Sequence, residues 1–119
     1  MTDLLSRGEV WMAQLDPVSG HEQGGTRPVL IISSDALNHG PATLAIVAPI
    51  TSRARQLASQ VQVEPPEGGL TLTSFIMCDH LRSVSHGRLL RRLGRVSPAT
   101  LRQVEDRLTM LLDLWPQLR

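Results

Sequence analysis

At 119 residues, 41% of them apolar, the chain is long enough for one compact core and too short for two ordinary domains, so residues 1–119 read as a single domain. The formal net charge of +1 hides a gradient, with four Arg against eight acids in residues 1–81 and eight Arg against three acids in residues 82–119. All 12 basic residues are Arg, which excludes Schiff-base lysine chemistry and a phosphate-loop lysine, and the lack of a long apolar run or signal-like N-terminus predicts a soluble, cytoplasmic protein with no membrane partner.

Gly8 to Leu15 predicts a first strand, stopped by Asp16-Pro17. A long polar loop, 16–26, carries Gly20-His21-Glu22-Gln23-Gly24-Gly25-Thr26 and leads into Arg27-Pro28, after which Val29 to Ser33 predicts a buried strand. Pro28 biases Arg27 toward extended backbone, so the guanidinium is expected at a fixed strand edge. Asp35 to Asn38 predicts a short helical turn, and Ala42 to Ile50 a third strand ended by Thr51-Ser52-Arg53-Ala54-Arg55. Gln60 to Val63 alternates as a short strand, Pro65 to Gly69 reads as a turn, and Leu70 to Cys78 as a fifth strand, with Asp79 to Val84 continuing or pairing beside it.

Cys78, the sole cysteine, sits in the apolar stretch Phe75 to Cys78 and reads as a buried thiol, not a nucleophile. From Ser97 the period changes to about 3.6: Ser97 is a good N-cap, Pro98 suits the first helical position, and Leu101, Val104, Leu108, Leu111 and Leu112 share one face. Arg102, Glu105 and Asp106 are expected to point outward, and Pro116 to mark the helix end. Short strands at hairpin spacing followed by one amphipathic helix predict a mainly β fold, a small barrel packed on a C-terminal helix.

Several chemistries find no support. Gly24-Gly25 precedes a strand and does not open a helix, so it is no dinucleotide fingerprint, and no Walker loop occurs. His21, His39, His80 and His86 lack zinc-site spacing, and the serines lack a nucleophile-elbow context. No metal and no cofactor are expected. What remains is the loop 20–27, the strand end Pro49 to Arg53, and Asp79-His80-Leu81-Arg82-Ser83.

With those elements in order, the chain resembles the MazF/PemK family of toxin endoribonucleases. The resemblance runs through Arg7-Gly8-Glu9-Val10-Trp11, Leu15-Asp16-Pro17, the Glu22-Gln23-Gly24-Gly25-Thr26-Arg27-Pro28-Val29 element, Pro49-Ile50-Thr51, Gly69-Leu70, Leu81-Arg82-Ser83-Val84, Arg88-Leu89, Gly94 and the final helix. It implies an SH3-like barrel that forms a homodimer, binds single-stranded RNA, cuts it without a metal to 2′,3′-cyclic phosphate and 5′-hydroxyl ends, and is restrained by an antitoxin. It ties activity to Arg27 and Thr51, implicates Glu22 and makes Arg82 an RNA contact; Gln23, His21, Ser52, Arg53, which follows Thr51 directly, and His80 are further candidate RNA contacts. His80 stands where the family commonly has Gln, and Ser85 where it often has Asp, which bears on base selection more than on catalysis.

Metal-free RNA cleavage needs a base for the 2′-hydroxyl, donors for the phosphorane charge and an acid for the departing 5′-oxygen. Arg27 suits the second task, and Thr51 adds a neutral donor. Glu22 and His21 are both candidates for the base, and the acid stays unassigned. Beside these roles stand plainer ones: a solvated loop for His21, Glu22 and Gln23, a strand-edge ion pair for Arg27, a strand-end cap for Thr51. A rival of another class is a non-catalytic CcdB-like toxin that binds DNA gyrase, and a plain RNA-binding barrel is disfavoured by an aromatic content of 3%.

Overall fold

A computed structural model describes residues 5–17, 20 and 24–114. The strands are β1 (Glu9–Gln14), β2 (Thr26–Ile31), β3 (Leu44–Thr51), β4 (Gln60–Val63), β5 (Ser74–Met77), β6 (Arg82–Ser85) and β7 (Leu89–Arg95). Two helices join them, the short α1 (Asp35–Asn38) and the C-terminal α2 (Pro98–Leu111). Three single 3₁₀ turns lie at Glu67–Gly69, Cys78–His80 and His86–Arg88.

The sheet runs β4-β5-β3-β2-β1-β7, all antiparallel, with β6 paired to β3 off this path. β3 is the pivot. One edge pairs with β2, while the other pairs with β6 over Leu44 to Val47 and with β5 at Ile50 and Thr51. Pro49, which has no N–H to give a ladder, falls between those two stretches.

Alternation along β1 to β3 sorts side chains onto two buried faces. Val10, Leu30, Ala48 and Ile50 face Val61, Val63, Ile76 and the helix residues Val104 and Leu108. Trp11, Ala13, Val29, Ile31, Ala45 and Val47 face Leu5, Val84 and Leu89. Because both faces are covered, β2 and β3 are nearly continuous apolar runs rather than alternating ones.

Several sequence expectations need correction. The fifth strand is only Ser74–Met77, since Leu70 to Thr73 stay outside the ladder and Cys78–His80 turns as a 3₁₀ segment. β6 pairs with β3, not with β5. β7 was not expected at all: its Leu89-Leu90-Arg91-Arg92-Leu93-Gly94-Arg95 pattern is that of a half-solvated edge, with only Leu89 buried. On α2 the buried face is narrower than expected, because Leu111 and Leu112 are exposed. Glu105 does not simply point outward; its Oε2 lies 2.7 Å from Arg7 Nη2.

Other predicted devices are present. Ser97 caps α2 by accepting from Thr100 N, and Pro98 sits in its first turn. Glu67 strengthens that cap by accepting from Ser97 N at 2.9 Å and Thr100 Oγ1 at 2.6 Å. Partial burial disfavours the Glu67 carboxylate, yet the hydrogen bonds from Thr100 and Ser97 outweigh it and hold the carboxyl below its ordinary value. Cys78 is buried, and burial pushes its thiol up to about 11. Arg7-Gly8-Glu9 is structural: Arg7 ties Ile32 O to Glu105, and buried Glu9 accepts from Ser6 N, Trp11 Nε1 and Arg92 Nε.

Candidate functional site

The register of β2 on β3 pairs Val29 with Pro49. Two positions further along that register, Arg27 falls opposite Thr51, at the ends of their strands. Both are half-buried, and both line a cleft of about 540 Å³ together with Pro28, Ile50, Ser52, Arg53, Arg55 and the segment Leu70, Thr71, Leu72 and Ser74. β2 and β3 form one wall, and the chain entering β5 forms the other.

Local hydrogen bonds fix the polar groups of this cleft. Arg27 Nε donates to Gly24 O at 2.9 Å, which aims the guanidinium and anchors the end of the β1–β2 loop. Leu15 N donates to Gly25 O, and Gly25 N donates to Asp16 Oδ1, so the loop base is closed like a hairpin. Among the described residues no carboxylate lies within ion-pair distance of Arg27, Arg53 or Arg55. Thr51 Oγ1 accepts from Arg53 N at 3.2 Å, which occupies a lone pair and leaves its hydroxyl hydrogen to donate.

Gln60 acts on the same corner. Its Oε1 accepts from Arg55 N at 3.0 Å and its Nε2 donates to Arg53 O at 3.5 Å, holding the exposed 53–55 segment against β4. Sequence reasoning missed Gln60, Thr71, Leu72 and Ser74; only the neighbouring Gly69-Leu70 pair pointed toward that wall.

The structure brings together Arg27, Thr51, Ser52 and Arg53. His80 and Arg82 are not among the residues lining the cleft. His80 is half-buried in its 3₁₀ turn, with Nε2 4.0 Å from Asp79 Oδ2. Arg82 Nη1 donates to Leu15 O at 3.1 Å, and Arg88 Nη1 donates to Gln14 O and Asp16 O, so both arginines brace the base of the β1–β2 loop. His21, Glu22 and Gln23 lie outside the described residues. The cleft lining brings three guanidiniums and several hydroxyls together, a donor set suited to an anion, with Arg27 and Thr51 at adjacent strand ends.

The chain is similar to proteins of known family. The family model described as PemK-like, MazF-like toxin of type II toxin-antitoxin system matches residues 6–112. Endoribonuclease MazF9 of Mycobacterium tuberculosis is 36% identical over 117 residues, covering 94% of this chain and 99% of its own length. Among solved structures, MazF (Form-I) from Deinococcus radiodurans superposes with a TM-score of 0.83 at 30% identity, over 92% of this chain and 97% of its own. An endoribonuclease in complex with its cognate antitoxin from a mycobacterial species superposes with a TM-score of 0.80 at 26% identity, over 95% of this chain and 100% of its own.

Proposed function

The chain belongs to the family of PemK-like, MazF-like toxins of type II toxin–antitoxin systems, and on that premise we propose that it is an endoribonuclease that cuts single-stranded RNA, acts as a homodimer and is held in check by a cognate antitoxin. Endoribonuclease MazF9 and the mycobacterial endoribonuclease bound to its antitoxin support this reading, and they disfavour the gyrase-binding alternative. The observation that carries it is the convergence of Arg27 and Thr51 in one cleft, with Arg53 and Arg55 continuing its positive wall.

In the proposed reaction the 2′-hydroxyl oxygen attacks the adjacent phosphorus and the bond from phosphorus to the 5′-oxygen breaks. The products are a 2′,3′-cyclic phosphate and a 5′-hydroxyl, and no metal takes part. Arg27 places a permanent charge on the non-bridging oxygens, where negative charge grows in the phosphorane. Thr51 donates the hydroxyl hydrogen that its bond from Arg53 N leaves available. Glu22 or His21 removes the 2′ proton, and a second group returns a proton to the 5′-oxygen. Gln23, Ser52 and Arg53 hold the flanking strand. His80 and Arg82 contact RNA only beyond this cleft.

Replacing Arg27 tests the reading. Arg27→Ala should lower kcat/KM on the order of 10²–10³-fold, the cost of losing one pre-aligned donor to developing charge. Arg27→Lys should recover only part of it, since an ammonium cannot grip two oxygens in one plane. Full activity in Arg27→Ala would remove Arg27 from the reaction.

A further inference from the structure

Leu72 breaks the character of the cleft it lines. It is 62% exposed, the most exposed large apolar side chain among the described residues. Its neighbours in the cleft are arginines and hydroxyl groups, whereas the other apolar lining residues, Ile50 and Leu70, are buried in the floor and Pro28 is half-buried. Among the described residues, no aromatic side chain lines the cleft.

The backbone that presents Leu72 is pinned on both sides. Ser74 Oγ donates to Leu72 O at 2.8 Å. Thr73 Oγ1 donates to Glu64 Oε1 at 2.6 Å, and Gln62 Nε2 holds the other oxygen of that carboxylate. Leu70, buried, anchors the segment from the N-terminal side. The fold therefore holds a leucine in water at a fixed place, across the cleft from the wall that carries Arg27 and Thr51.

Single-stranded RNA offers that position an apolar partner. Its unpaired bases have flat faces that gain by leaving water, and an exposed aliphatic side chain on a fixed backbone offers such a face a surface to pack on. Resting on the nuclease reading above, we propose that Leu72 is a base-docking residue: the face of one unpaired base next to the cut phosphate packs on it, positioning the strand without taking part in proton transfer.

The test pairs a protein change with a substrate change. A set of short RNAs, each with one ribose abasic site near the cut, keeps every phosphate and 2′-hydroxyl while deleting one base at a time. With intact RNA, Leu72→Ser should raise KM about three- to tenfold, the low end for a base contact, and leave kcat within about twofold. With the wild type, one abasic position should raise KM by a similar factor, and with Leu72→Ser that same position should add nothing further. Independent, multiplying effects at every position would overturn the proposal, as would an unchanged KM in Leu72→Ser. A variant that no longer sediments like the wild type would also overturn it, because Leu72 would then be a contact between protomers. A folded wild type that cuts none of the RNAs would overturn the nuclease reading itself.

Discussion

Thr51 ends β3, and its hydroxyl offers one donor hydrogen and two acceptor lone pairs. Arg53 N takes one lone pair and leaves the hydroxyl hydrogen to donate to an anion. Thr51→Ser keeps both functions and should hold kcat within about threefold, whereas Thr51→Val keeps shape but loses the donor and should lower kcat on the order of 10²-fold. A loss in Thr51→Ser with Thr51→Val unimpaired would mean that the methyl group, not the hydroxyl, matters. Arg27 was legible because Pro28 and the apolar run after it announce a fixed strand edge. Gln60 was not, since its two bonds go to backbone groups of Arg53 and Arg55, and backbone partners leave no trace in side-chain spacing. Leu72 was read as part of an alternating strand; the Ser74 and Glu64 bonds pull its segment out of the ladder instead.

At the scale of elements, periodicity and caps carried most of the information. The Ser97-Pro98 start of α2 and the bounds of α1 and β4 agree with the sequence reading because each rests on local chemistry. β7 escaped it because its outer positions are arginines, and because Gly94 serves a close approach rather than a turn. A Cβ on Gly94 would lie 2.6 Å from the backbone carbon of Gly68 and 2.7 Å from Gly69 N. Gly94→Ala should therefore cost about 2–4 kcal/mol in denaturant unfolding, against a few tenths if the turn could yield. Glu67 links the same turn to α2, and its carboxyl is held below its ordinary value of 4.5. That stabilisation is present above pH 4.5 and is lost as pH falls through the lowered pKa. The gap in Tm between wild type and Glu67→Gln should thus be widest near neutral pH and shrink on acidification below pH 4.5; a gap constant with pH would remove the ionised carboxylate from the cap.

For the whole molecule, the sheet does two jobs with one strand. β3 bends between β6 and β5, closing a small barrel over the core, and its end delivers Thr51 beside Arg27. Fold class and the helix were legible because they depend on short-range pattern, whereas Thr51 was singled out through the family resemblance. The second wall of the cleft and the diversion of Arg82 to Leu15 O depend on strand order, which hairpin spacing alone does not fix. No helix among the described residues is long and apolar enough to cross a membrane. The proposed activity is RNA cleavage by 2′-hydroxyl attack on a phosphate held by Arg27 and Thr51. The most direct measurement is to incubate the purified protein with a long unstructured RNA in excess EDTA and map both cut positions and end groups. The proposed cleavage should give cuts at a recurring short sequence, with 2′,3′-cyclic phosphate and 5′-hydroxyl ends, slowed on the order of 10²–10³-fold in Arg27→Ala. Intact RNA, or 5′-phosphate ends that appear only when metal is restored, would contradict it.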